Sequence, residues 1–216
     1  MSHSASSRYS PAEERANALT HLLGVILAVA ALALLPTYAA LDGDPWHIVS
    51  CTIYGVTQLA LYSTSTIYHW VSEPERKARW RHLDHAAIFL LIAGTYTPFT
   101  LVSLRGPWGW TVFGIVWGLA VVGIGMQTLL LRTKGWVTAL PYIAMGWVIV
   151  IAIEPLIEAL PTGGLYFLVA GGLAYTLGAV FYAWRSLPYH HAIWHLFVMA
   201  GSGLHFGAVF FYVIPA

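Results

Sequence analysis

The stretch PYHHAIWHLFVMAGSGLHF, residues 188–206, places four histidines in an otherwise apolar run. His191 and His195 are four residues apart. On a helix that spacing puts both imidazoles on one face, with Cβ atoms about 6 Å apart. Two rings so placed can grip one metal ion, as in helical zinc motifs. A third imidazole would complete a three-nitrogen set with an open fourth position, the pattern of catalytic zinc with water as fourth ligand. His69, in STIYHW at 65–70, is the candidate third ligand. Asp84 is the candidate to orient or deprotonate the water. Ser65 lies one turn before His69 on the same face and could bond the water, a substrate oxygen or a ligand ring.

Each residue also has a plainer reading. His-x-x-x-His alone is a weak signal, and histidines at span ends can face lipid headgroups. Asp84 could cap a helix N-terminus, and Ser65 could donate back to the Leu61 carbonyl. Taken together these readings lose ground, because polar residues inside spans are costly and usually functional. His205, about 15 Å beyond His195 on a helix, is expected to be an interhelical contact. His21 could line the same cavity. His82, His85 and His190 are expected at headgroups or beside the ligands, His47 at the outer interface and His3 in the tail.

The elements that must position these groups follow from composition. The 216 residues are 58% hydrophobic and 9% charged, against roughly 25% charged in soluble domains. An integral membrane protein of the all-α class is expected. The net charge of +1 leaves no footprint for nucleic acid. The single cysteine, Cys51, excludes an internal disulfide and is expected to pack in a helix. Seven stretches reach the ~20 residues a span needs: 18–40, 47–70, 83–104, 109–130, 136–154, 163–184 and 192–214. They make one seven-transmembrane helix bundle over residues 13–216, after a disordered N-terminal tail at 1–12. LDGDP, SEPERKARWR, LRGPW, RTKG, EPLIEALPTGG and RSLPYH separate the spans. Trp46, Trp70, Trp80, Trp108, Trp110, Trp136 and Trp184 fall near span ends, where an interfacial belt puts them.

Of the ten Lys and Arg residues, Arg8, Arg15, Arg76, Lys77, Arg79, Arg81, Arg132, Lys134 and Arg185 fall on one side of such a bundle. Only Arg105 falls on the other. The positive-inside rule then makes the N-terminus cytoplasmic and the C-terminus external. It also gathers His69, Asp84, His191 and His195, from three spans distant in sequence, near the cytoplasmic end. Gly114-xxx-Gly118 and Gly203-xxx-Gly207 have the spacing of close helix contacts. They are expected to pack within the monomer, with a homodimer as the alternative.

Four stretches carry a resemblance: EERANALTHLLG at 13–24, STIYHW at 65–70, LDHAAIFLLIAGTYTPF at 83–99 and HAIWHLFVMAGSGLHF at 191–206. Together they resemble the bacterial hemolysin III family, which belongs with the progestin and adipoQ receptors, including the adiponectin receptors. The resemblance runs from the first span to the last. It implies a seven-helix bundle with its N-terminus inside, and zinc held at His69, His191 and His195. It implies that Asp84 holds the zinc-bound water. The adiponectin receptors are linked to ceramidase-type amide hydrolysis. Bacterial members are associated with membrane-lipid homeostasis. The expectation is a zinc-dependent lipid hydrolase of the bacterial inner membrane, taking a membrane lipid as substrate or ligand. A homeostasis or sensor protein with a structural zinc is the alternative. A cytolytic pore is disfavoured, because seven spans leave no water-soluble form. A hormone-receptor role is not expected, since the long N-terminal domain of the animal receptors is not part of this sequence.

Overall fold

A computed structural model describes residues 9–133 and 135–215. The expected tail therefore lies outside the described residues up to residue 8, as do His3, Arg8 and Lys134. All regular structure among the described residues is helical: α1 (Pro11–Asp42), α2 (Pro45–Trp70), α3 (Pro74–Pro98), α4 (Pro107–Gly125), α5 (Gln127–Leu130), α6 (Gly135–Gly146), α7 (Ile153–Ala159), α8 (Thr162–Ala183) and α9 (His190–Ala208). Single π-type turns extend α3 over Phe99–Ser103 and α9 over Val209–Val213, and a 3₁₀ turn at Val148–Ala152 joins α6 to α7.

The first three helices start by one rule. A polar cap precedes a proline at the first helical position, where the missing N–H costs nothing. Ser10 accepts the Glu13 N–H while the Glu13 carboxylate accepts the Ser10 N–H, closing a capping box around Pro11. Asp44 accepts the N–H groups of Trp46 and His47 around Pro45. Glu73 does the same for Glu75 and Arg76 around Pro74. The segment SEPERKARWR, expected as a separator, is thus helical from Pro74. The ~20-residue rule bounds only the apolar stretch, and a charged helix can run on beyond it. Asp84 consequently sits well inside α3 and caps nothing.

Among the described residues, six segments are long and apolar enough to cross a membrane: Pro11–Asp42, Pro74–Ser103, Pro107–Gly125, Trp136–Ala159, Thr162–Ala183 and His190–Val213. At 26 residues α2 is long enough, but it is less apolar. Its polar residues Ser50, Thr57, Gln58, Ser65 and His69 are buried against neighbouring helices.

The helices close into a ring. α1 packs on α2, α2 on α3, α3 on α6, α6 on α8, α8 on α9 and α9 on α1, with α4 outside against α3. Within this ring the expected fifth span is broken. The Tyr96 hydroxyl of α3 donates to the Gly146 carbonyl at 2.7 Å and accepts the Ile149 N–H at 3.0 Å. A side chain inserted into the backbone ladder interrupts an α-helix. The glycine pairs only partly do what their spacing suggested. A Cβ on Gly114, Gly118 or Gly203 would meet nothing within 4 Å, whereas one on Gly207 would lie 2.8 Å from Phe167. Spacing selects a face of the helix; it does not supply a neighbour for that face. Cys51 is buried in α2, as expected.

Candidate metal centre

Two helices carry the three rings. α2 delivers His69 one residue before its last. The first two turns of α9 deliver His191 and His195. Each ring offers a nitrogen, and these three atoms lie within 4.8 Å of one another. Ring centroids are 4.5 Å apart for His191–His195, 5.0 Å for His69–His191 and 5.2 Å for His69–His195. All three residues are buried.

Hydrogen bonds select which nitrogen of two of these rings is bare. His69 Nδ1 lies 2.7 Å from Glu14 Oε2. A carboxylate only accepts, so Nδ1 carries the proton and Nε2 the lone pair. His69 Nε2 is buried and has no hydrogen-bond partner. His195 Nδ1 lies 3.1 Å from the Asn17 carbonyl, which also only accepts, so its Nε2 is bare as well. The Thr20 hydroxyl stands 3.0 Å from the same Nδ1. In His191 it is Nδ1 that is buried without a partner. Unpaired buried nitrogens call for an explanation, and three imidazoles with nitrogens this close together are a donor set suited to zinc.

The cluster borders a cavity of about 120 Å³ lined by His21, Ser65, Asp84, His191, His195 and His205, together with apolar side chains. Ser65 Oγ is buried and bonds no protein atom. It does not donate back to Leu61, whose carbonyl takes the Thr64 hydroxyl instead. Asp84 Oδ2 lies 3.0 Å from His85 Nδ1. Neither Asp84, His21 nor His205 belongs to the three-ring group. The His21 ring stacks on His195 at 3.5 Å with planes 10° apart, so its lone pair lies in a separate, nearly parallel plane and cannot meet that of His195 at one ion. His205 Nε2–H donates to Leu168 of α8 at 3.0 Å, the interhelical contact its depth suggested. His190 and His82 donate to the carbonyls of Phe181 and Ala78. His47 helps to cap α2 beside Asp44.

The sequence reading passed over Glu14, Asn17, Thr20 and Tyr9. Tyr9 is buried, with its ring 5.1 to 6.0 Å from those of His69, His190 and His191. A signal for the α1 residues was present. Glu14, Asn17, His21, Gly24 and Ala28 recur every three or four residues, while Leu19, Leu22, Leu23, Ile26 and Leu27 occupy the exposed face. That is an inside-out amphipathic helix, polar toward the bundle.

Comparison with known proteins agrees over nearly the whole chain. The family model for haemolysin-III-related proteins matches residues 9–206. Hemolysin-3 of Bacillus cereus is 48% identical over 203 residues, covering 94% of this chain and 93% of that protein. The Hemolysin-3 homolog of Bacillus subtilis is 44% identical over 202 residues, covering 94% and 95%. The human monocyte to macrophage differentiation factor is 31% identical over 219 residues, covering 97% and 89%.

Proposed function

From the premise that the chain belongs to the haemolysin-III-related family, and from its histidine cluster, we propose a zinc-dependent hydrolase within the membrane, acting on a lipid amide or ester. The observation that carries this reading is that the cluster among the described residues has three members, with no fourth His, Cys or acidic ligand. A closed structural zinc site takes four protein ligands, whereas a catalytic one keeps a position open. His69, His191 and His195 would hold the ion. Bound there, zinc would supply Lewis acidity and bring the pKa of water at its open position to about 7.

The chain's own groups would do the rest. Asp84, facing the same cavity, would take the proton of the attacking water and return it to the leaving nitrogen or oxygen as the acyl bond breaks. Ser65 Oγ, lacking a partner, would donate to the substrate carbonyl. Leu61, Ile88, Leu91, Ile92 and Val198 line the cavity and would hold hydrocarbon. In this reading α2 is a seventh span, the N-terminus is cytoplasmic and the C-terminus external, in a bacterial inner membrane. The activity would serve membrane-lipid homeostasis. Elemental analysis of detergent-purified protein tests the metal: about one zinc per chain, lost in His191→Ala/His195→Ala. Turnover of lipid amides and esters, abolished by His69→Ala or Asp84→Asn at unchanged expression, tests the chemistry. No metal in the wild type would sink the hydrolase. Full turnover by Asp84→Asn would remove that residue from its role.

A further inference from the structure

α1 supplies no ring to the cluster, yet its first turns reach it. Glu14 Oε2 accepts the His69 Nδ1–H at 2.7 Å, and Oε1 lies 3.1 Å from Lys77 Nζ. The His69 side chain has no exposed surface, and that of Glu14 is 13% exposed. Lys77 is itself tied down, donating to the carbonyls of Tyr68 at 2.9 Å and Val71 at 3.1 Å, where α2 ends. The carboxylate is therefore gripped from both sides. One oxygen faces the imidazole, and the other faces an ammonium group anchored to the same helix end that bears the imidazole.

We propose that Glu14 is a positioning residue for the metal centre, holding His69 in the one tautomer and ring orientation that presents Nε2 to His191 and His195. The inference rests on reading the cluster as a metal site. A neutral imidazole has one N–H, and an acceptor at Nδ1 decides where it goes. Moving the proton to Nε2 would set the Nδ1 lone pair against the carboxylate, and flipping the ring would turn a C–H toward it. The negative charge also makes the ring a better donor to a cation, as outer carboxylates do for ligating histidines. The neighbouring Glu13 does a different job: its Oε1 accepts the Tyr189 N–H at 3.2 Å, fastening α1 to the entry of α9. Glu13 touches α9's approach but no ring of the cluster, so it separates fastening from positioning.

The test uses full-length protein stripped with a chelator and titrated with Co²⁺, then with Zn²⁺ in competition. Wild type is compared with Glu14→Ala, Glu14→Gln and Glu13→Ala, with helical content checked by circular dichroism. Glu14→Ala is expected to weaken metal binding about 10- to 100-fold and to shift the cobalt ligand-field bands, because His69 is then free to turn. Glu14→Gln, whose amide oxygen still accepts from Nδ1–H, is expected to lose less. Glu13→Ala is expected to bind as wild type does. Wild-type affinity in Glu14→Ala would overturn the proposal. So would an equal loss in Glu13→Ala, which would trace the effect to fastening alone. A wild type that binds neither ion would instead sink the metal reading on which the proposal stands.

Discussion

Replacing Tyr96 by Phe removes one oxygen and two hydrogen bonds from a segment that faces lipid on one side. The hydroxyl donates to Gly146 O at 2.7 Å and accepts from Ile149 N–H at 3.0 Å, and Tyr96 is only 7% exposed. In water the freed backbone groups could turn to solvent. In hydrocarbon they cannot, and an unsatisfied group there costs several kcal/mol. The chain has an escape, however. It can restore the regular ladder, with the Ile149 N–H returning to the carbonyl four residues back. The net cost is then that of two interhelical hydrogen bonds, each averaging about 0.6 kcal/mol in membrane proteins with a maximum near 1.7. The expected destabilisation is therefore about 1 to 3 kcal/mol, read from reversible unfolding in mixed micelles. Hydrogen exchange should slow across 146–152 as the 3₁₀ turn becomes helix. Unchanged stability together with unchanged exchange in that segment would refute the idea that Tyr96 sets the break.

Two further outcomes follow from the packing and the site. A Cβ on Gly171 would fall 2.4 Å from the His205 ring, which its bond to Leu168 holds in place; Gly171→Ala should cost about 1–3 kcal/mol in the same unfolding assay, while Gly114→Ala, whose Cβ meets nothing within 4 Å, should stay within about 0.5 kcal/mol of wild type. Zinc content after equilibration across pH should fall as the buffer is taken toward about pH 5, since the three rings must be neutral to ligate and protons compete for the same lone pairs; a constant content over that range would contradict a three-histidine site.

The convergence of His69, His191 and His195 was legible because two coarse rules sufficed. Span counting fixed which helix ends share a side, and the i, i+4 spacing fixed which rings share a face. Helix starts were less legible. Glu73 and Pro74 form as clear a start signal as Ser10 and Pro11, but the charges around them read as a loop. The break at Trp147 has only a weak local signal, Gly146. The contact that fixes the freed backbone groups there comes from Tyr96, 50 residues before Gly146. Gly114 and Gly118 failed for a related reason, since a motif states what a helix can pack against and not whether anything is there. Glu14 was missed because an acidic residue in a polar leading segment looks solvated. Only the register from Glu14 through Asn17 to His21 places it on the buried face.

That register gives α1 a part in the site that its apolar composition conceals. An imidazole can ligate through either nitrogen, and three rings crowded together do not choose by themselves. α1 makes the choice for two of them, through Glu14 at His69 and the Asn17 carbonyl at His195. It stacks His21 on the second of these and clasps the approach to α9 through Glu13. The Asn17 carbonyl adds a point about acceptors. A backbone oxygen inside a helix already serves the N–H four residues on, but it has a second lone pair to give. His195 Nδ1–H and the Thr20 hydroxyl both reach that oxygen without breaking the ladder. The histidine-bearing helices thus meet a helix whose polar face sets the tautomers of two of the three rings, a consequence of α1 being seated against α2 and α9.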